Sequence, residues 1–394
     1  MSAAARGFVP PTYPFDRLAK LAAEGAALPD GLVDLSVGTP CDPPPDAVVA
    51  ALARSGAERG YPSGVGSPRL LDAARGWLSR RFRVELERPM LAACIGTKEL
   101  VAGIPHWLHL RDPRRDTVLY PAISYPTYAM GAELAACRAV AVPTGPDGRL
   151  ALGAIAEQDA ARALCLWVNS PSNPTGALDD LDAAAAWGRA HDVPILSDEC
   201  YAEFTWDGPP RSILESGVDG VLAVHSISKR SNAAGLRLGF YAGDPRLVHY
   251  LAELRRHAGF MVPGPIQAAG AVALDDDEHV AVQRARYAGR LDRLADALRS
   301  IGVAASRPGG GFYLWVAVPS VAGEPAEAGE GPEWSFTRAL ARRGVLVSPG
   351  EFYGPAGAGH VRIALVQPDE RIELAAQRLG ALARSAPVEG LGAR

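Results

Sequence analysis

The sequence predicts an α/β protein in which a large, mainly parallel seven-stranded sheet is joined to a smaller α+β unit. Two observations carry this reading. Between about residues 90 and 245, seven short apolar runs alternate with helical stretches. Beyond residue 276 the pattern changes to one long charged amphipathic stretch, then to short strands mixed with helices. Strands that alternate with helices are joined by crossovers, which makes their sheet mainly parallel and covered on both faces.

Taken in order, the seven apolar runs are 90–95, 117–120, 139–142, 163–168, 195–196, 221–225 and 238–242, with helices between several of them, as at 98–110 and 181–191. A helix is expected over 276–300, strands at 312–318, 345–347 and 361–365, and helices at 333–342 and 368–384. These place a large domain over 45–270 and a small one over 1–44 plus 271–394. Residues 319–333, rich in Gly, Pro, Ala and Glu, read as a surface loop, and 386–394 as a frayed end.

Composition narrows the function. The 394 residues are 48% hydrophobic and 21% charged, which is ordinary for a globular protein, and the net charge of −4 gives no reason to expect nucleic acid. Charges interrupt every apolar run before it could span a bilayer, and 1–11 lacks the apolar core of a secretory signal. Five scattered cysteines without a CxxC pair suggest reduced thiols. A cytoplasmic protein without membrane or nucleic-acid partners is expected.

The basic residues are more telling. Of forty, only three are lysines: Lys20, Lys98 and Lys229. Lys229 ends Ser226-Ile227-Ser228-Lys229, just after an apolar strand run. Arginine stays charged and cannot form an imine, whereas a desolvated lysine can deprotonate and attack a carbonyl. Lys229 is therefore the first candidate for covalent chemistry.

Other polar motifs cluster at strand ends, where open α/β sheets bind ligands. Gly96-Thr97-Lys98-Glu99 opens a helix whose free N–H groups could take an anion, although a glycine before a helix is often only a turn residue. Asn169-Ser170-Pro171-Ser172-Asn173-Pro174-Thr175-Gly176 is a rigid loop able to hold an amide in place. Asp198, in Ser197-Asp198-Glu199-Cys200-Tyr201, needs a cation or donor if buried, and Tyr201 could add a phenol. Ser226, Ser228 and Arg237 make a dianion-binding set with the amine nearby. Arg362 sits on a short strand between Val361 and Ile363, where an arginine is more often a surface residue or half of a structural ion pair than a ligand clamp. His106 and His109 share a helix face without acidic or thiol companions, so no metal site is expected. Gly309-Gly310-Gly311 reads as a turn, and Cys200 as a small core thiol.

In order and spacing, Asn173, Asp198, Tyr201, Ser226-x-Ser228-Lys229, Arg237 and Arg362 resemble the fold-type I pyridoxal-phosphate aminotransferases of class I/II, over nearly the whole chain. The resemblance implies pyridoxal 5′-phosphate as cofactor and a homodimer with shared active sites. It implies Lys229 as the Schiff-base lysine that shuttles a proton in a 1,3-shift, with Asp198 at the pyridine nitrogen and Asn173 and Tyr201 at the ring hydroxyl. Tyr125, in Ser124-Tyr125-Pro126-Thr127-Tyr128, would stack on the ring. Thr97, Lys98 through its backbone, Ser226, Ser228 and Arg237 would surround the phosphate, and Tyr61 would reach the phosphate of the neighbouring subunit. Arg362 would grip the substrate α-carboxylate, with Asn173 and the backbone of Gly38 beside it.

A narrower likeness, in Leu35-Ser36-Val37-Gly38-Thr39-Pro40, Val224-His225-Ser226-Ile227-Ser228-Lys229-Arg230-Ser231-Asn232, Met261-Val262-Pro263-Gly264-Pro265 and Glu351-Phe352-Tyr353-Gly354-Pro355, is to the N-succinyldiaminopimelate aminotransferases of actinobacterial type. It implies glutamate and 2-oxoglutarate as amino donor and product, in lysine and diaminopimelate biosynthesis. Arg69 departs from that pattern, outside the expected chemical centre. Other expectations compatible with the motifs are an aspartate, alanine or aromatic aminotransferase and a cystathionine-type β-lyase. A ligand sensor with an added DNA-binding domain has no spare length here. Phe15, Arg17, Phe312, Tyr313 and Trp315 are candidate neighbours of the substrate's far end.

Overall fold

The computed structural model describes residues 8–321 and 329–385. Residues 1–7 of the segment read for a signal core and the expected frayed end at 386–394 lie outside the described residues. So does part of the loop expected over 319–333, whose last two residues, Pro332 and Glu333, instead open a helix, Pro332–Ala341. Proline suits that first helical turn, where its missing N–H would have had no partner.

Seven strands form the large sheet: β1 (Leu91–Cys94), β2 (Thr117–Pro121), β3 (Arg138–Val142), β4 (Ala163–Asn169), β5 (Ile195–Asp198), β6 (Val221–Ser226) and β7 (Gly239–Gly243). Their order is β1-β7-β6-β5-β4-β2-β3. Strands β2 to β6 run parallel, and β7 is antiparallel to both β1 and β6. The exception has a local cause. Only residues 227–238 separate β6 from β7, and that connection holds two short turns rather than a crossover helix, so the chain returns antiparallel.

Every residue of β4, β5, β6 and β7 is buried, because helices cover both faces. Along β4 the side chains alternate between two cores. Leu166 and Val168 join Trp77, Phe82 and Leu274 on one side, while Cys165 and Trp167 join Ile104, Trp107 and Leu251 on the other. A third core lies around the helix Glu278–Ser300 and a three-stranded antiparallel sheet of β8 (Tyr313–Ala317), β9 (Ser348–Pro349) and β10 (His360–Ala364), in the order β9-β10-β8. Strand β9 was not among the expected strands. It has two residues, and its proline cannot donate to a ladder, which confines it to an edge. Val33–Asp34 pairs in parallel with Val345–Leu346 and brings the segment that holds Gly38 beside β10. No helix of the described residues is long and apolar enough to cross a membrane.

An ion pair between half-buried Glu99 and fully buried Arg255 fixes the start of the helix Thr97–Arg111. Both Glu99 carboxylate oxygens accept from Arg255, at 2.5 and 2.8 Å, and Oε1 also accepts from the Ile95 N–H at 2.8 Å. The Arg255 guanidinium is wholly buried between the rings of Trp107 and Phe260. Removing the carboxylate strands a charge that water cannot reach. Glu99→Ala should lower the unfolding free energy by about 3 kcal/mol, read as a fall in the urea midpoint at constant slope. A loss below about 1 kcal/mol would show that the pair does not anchor this helix.

Candidate active site

The C-terminal ends of β4, β5 and β6, the start of Thr97–Arg111 and strand β10 surround a cavity of about 310 Å³. Lys229 enters it from a single helical turn, Ile227–Arg230, directly after β6. The Ser226 hydroxyl caps that turn, accepting from the Ser228 N–H at 3.1 Å and donating to Ser228 Oγ at 2.9 Å. Lys229 Nζ donates to the Gly38 carbonyl. Removal from bulk water lowers its ammonium to about 8, and the charges of Arg362 and Arg237 add to this against Cys200 and Asp198.

Asp198 ends β5, where burial pushes its carboxyl upward against hydrogen bonds from neutral donors. The Tyr128 hydroxyl donates to Oδ2 at 2.9 Å and the Cys200 N–H to Oδ1 at 3.2 Å. Asn169, the last residue of β4, ties the neighbouring loop to this strand. Its Nδ2 donates to the Asp198 carbonyl at 2.8 Å, and its Oδ1 accepts from the Asn173 N–H at 2.7 Å. Asn173 Oδ1 then accepts from Arg362 Nη1 at 3.0 Å.

Arg362 is only 3% exposed. Its Nη2 donates to the Ser36 carbonyl at 2.5 Å, and its guanidinium lies 4.3 Å from the Tyr313 ring centroid and 4.8 Å from that of Tyr353. The two ordinary readings of a strand arginine, a surface position or a structural ion pair, both fail here. On the opposite wall, Arg237 sits in the left-handed region (φ 52°) and donates to the Ala234 carbonyl at 2.9 Å. Its guanidinium lies so close to Gly96 (φ 68°) that a β-carbon there would collide with it. Arginine, two serine hydroxyls and the free amides of Thr97 and Lys98 thus border one end of the cavity.

Gly38, Thr97, Lys98, Tyr125, Asn173, Asp198, Tyr201, Ser226, Ser228, Lys229, Arg237 and Arg362 all line this one cavity. Tyr61 does not. It is 98% exposed and borders a separate surface hollow with Arg59 and Gln267. Cys200, expected as a core thiol, packs against the aromatic core of Tyr201 and Phe204 and also borders the cavity, with Sγ 3.6 Å from Thr97 Oγ1. Among the residues proposed for the far end, Phe15 and Tyr313 reach the cavity. Arg17 instead pairs with Glu351 at 2.6 Å, Phe312 packs in an aromatic core, and Trp315 stacks on His360. Tyr128, Asn169, Tyr13 and Val37 also line it without having been singled out from the sequence. Tyr128 stood in the quoted Tyr125-x-x-Tyr128 segment, where helical spacing was the available signal.

A larger hollow, of about 710 Å³, lies at the opposite, N-terminal edge of the parallel strands. Its charges neutralise one another, as in Arg115–Asp192 at 2.9 Å and Arg246–Asp244 at 3.0 Å. The cavity around Lys229 differs in kind. Lys229, Arg237, Arg362 and Asp198 share it, and none makes an ion pair among the described residues.

The family model for aminotransferase class I and II matches residues 30–379, and the chain belongs to that family. It is 44% identical to a protein of Mycobacterium tuberculosis named as a probable aminotransferase, over 96% of this chain and 88% of that one. It is 42% identical to the 4-dedimethylamino-4-oxo-anhydrotetracycline transaminase OxyQ of Streptomyces rimosus, over 94% and 99% of the two chains. An LL-diaminopimelate aminotransferase of Dehalococcoides mccartyi is 33% identical over 92% and 94%. Among solved structures, substrate-bound BacF from Bacillus subtilis superposes with a TM-score of 0.86 at 26% identity, covering 98% of this chain and 100% of that one. A probable N-succinyldiaminopimelate aminotransferase from Thermus thermophilus superposes with a TM-score of 0.81 at 30% identity, covering 93% of this chain and 99% of that one.

The cofactor of this family is pyridoxal phosphate, and the residues present fit it. An unpaired arginine beside hydroxyls and helix amides suits a phosphate, and an unpaired buried carboxylate suits a protonated ring nitrogen. An amine brought down to about 8 suits an aldehyde. In cofactor-free protein, pyridoxal followed by borohydride should label Lys229 ahead of the exposed Lys20 near pH 8, with the rate rising as Nζ loses its proton. Peptide mapping that shows no preference between the two would remove the lowered amine from the site.

Proposed function

We propose that the protein moves an amino group from glutamate to N-succinyl-2-L-amino-6-oxopimelate, giving N-succinyl-LL-2,6-diaminopimelate and 2-oxoglutarate. The observation that carries the chemistry is the lowered Lys229 amine set in one cavity with the unpaired Asp198 and Arg362. When bound, pyridoxal phosphate supplies the aldehyde and the electron-withdrawing ring on which amino groups are exchanged. Lys229 takes the proton from the substrate Cα and returns it one position along. Asp198 would keep the ring nitrogen protonated, with its carboxylate held in place by the Tyr128 hydroxyl and Cys200 N–H. Tyr201 and Asn173 would bind at the ring hydroxyl, and Tyr125 would lie against the ring. Thr97, Lys98, Ser226, Ser228 and Arg237 would hold the phosphate. Arg362 binds the α-carboxylate through two N–H groups, which fixes the Cα–H bond for removal. We also propose a homodimer in which Tyr61, bare on a single chain, completes the neighbouring subunit's phosphate site.

Two observations support an acidic far end of the substrate. Lys98 lines the cavity, its Nζ donates to the Tyr13 hydroxyl at 3.5 Å, and no carboxylate pairs with it among the described residues. Two of the similar proteins bear names of diaminopimelate chemistry. A second reading is a bulky polycyclic oxo substrate. It is favoured by the 42% identity to the tetracycline transaminase and by Tyr13 and Val37, which line the cavity yet stay 47% and 44% exposed.

Ranking amino donors by kcat/KM in the half-reaction with the pyridoxal form should place N-succinyl-LL-diaminopimelate and glutamate first. A polycyclic amine ahead of both would select the second reading. Lys229→Ala should keep cofactor binding and lower kcat by about 10³ or more. Arg362→Lys should raise KM for amino and oxo acids by about tenfold or more, since a point charge replaces a planar fork. Should it weaken only cofactor affinity, Arg362 does not bind the carboxylate.

A further inference from the structure

We propose that Tyr313 is a positioning residue that holds the Tyr201 phenol and the Arg362 guanidinium in register with each other. The inference rests on the reading above, in which Tyr201 binds at the ring hydroxyl of the cofactor. Tyr313 opens β8 and is 1% exposed. Its hydroxyl lies 2.9 Å from the Tyr201 hydroxyl, and its ring face lies 4.3 Å from the Arg362 guanidinium. The Phe312 and Tyr201 rings pack against it, with centroids at 4.8 and 5.5 Å. Gly38 makes the arrangement possible, because a β-carbon there would run into the Tyr313 hydroxyl and ring.

A phenol has one proton to give and lone pairs to receive. If Tyr201 spends its proton on the cofactor's ring oxygen, the hydrogen bond between the two phenols must run from Tyr313 to Tyr201. A hydrogen bond received at the Tyr201 oxygen polarises its O–H and strengthens the bond it gives. The charged and titratable groups facing Tyr201 are Arg362, Cys200 and Tyr313 itself, so only Tyr313 is a neutral phenol able to play this part. The same ring is a platform for Arg362, whose Nη1 and Nη2 are directed to Asn173 and the Ser36 carbonyl. One side chain thus links the group at the cofactor's oxygen to the group at the substrate's carboxylate.

Tyr313→Phe removes the hydroxyl and keeps the ring. In the holoenzyme it should shift the pH midpoint of the bound cofactor's visible absorbance upward by about 0.3 unit or more, because a weaker Tyr201 bond stabilises the anionic ring oxygen less. KM for glutamate should stay within about twofold, since the ring under Arg362 remains. Tyr313→Leu should raise that KM by a further factor of about ten. In a cycle with Tyr201→Phe, the double variant should show the midpoint of Tyr201→Phe alone, because Tyr313 acts through Tyr201. An unmoved midpoint in Tyr313→Phe, or shifts that add in the double variant, would overturn the inference. Borohydride labelling of the wild-type holoenzyme separates the two levels: a label away from Lys229 overturns the reading of the site, and the role of Tyr313 falls with it.

Discussion

Lys229, Arg237, Arg362 and Asp198 face one cavity without an ion-pair partner among the described residues, and the rest of the site is arranged around that fact. Lys229, Arg237 and Arg362 are cations, and Asp198 is the lone carboxylate among them. Desolvated charges of like sign raise the energy of the empty arrangement, and a ligand carrying complementary charges at matching places relieves it. Binding and chemistry draw on the same imbalance. Burial first, and then the charges of Arg362 and Arg237, pull the Lys229 ammonium down toward neutrality, and neither guanidinium meets a carboxylate among the described residues.

Such an arrangement persists only if the groups cannot swing together and neutralise one another. The structure prevents this by tying each to rigid backbone. Asn169 fastens the Asp198 strand to the Asn173 loop, and Asn173 in turn occupies one edge of Arg362. Ser226 caps the turn that carries Lys229, and the Glu99–Arg255 pair pins the helix that starts at Thr97. Tyr128, stacked on Trp167, holds Asp198 from beneath. Neutral donors thus fix the carboxylate without discharging it.

Much of the sheet was legible in the sequence because its strands are short apolar runs between turn residues, and all seven lie within two residues of where their patterns end. Strand β9 was not, since two residues carry no periodicity. The amine was legible because arginine has replaced lysine almost everywhere else. Tyr128, Asn169 and Tyr313 were harder, for a physical reason. Their roles come from contacts with residues far along the chain, as in Tyr128–Asp198 and Tyr313–Tyr201, and tyrosine or asparagine at a helix start or a strand end is common without such contacts. The cavity side of Cys200 was hidden because a strand-end thiol next to a buried acid looks the same whether it meets only a core or a cavity as well. Tyr61 is 98% exposed and borders a separate hollow, so the fold of the chain gives its motif no role at the cavity.

The antiparallel return of β7 has a consequence for selectivity. Because residues 227–238 run from β6 to β7 without a crossover helix, Lys229 and Arg237 belong to one short, strand-anchored hairpin. Their spacing is therefore set by covalent connectivity rather than by how two separate elements happen to dock. The hairpin acts as a molecular calliper, with an amine on one jaw and a guanidinium on the other. With Arg237 in its proposed role, a vitamer that lacks the anionic end would close only one jaw.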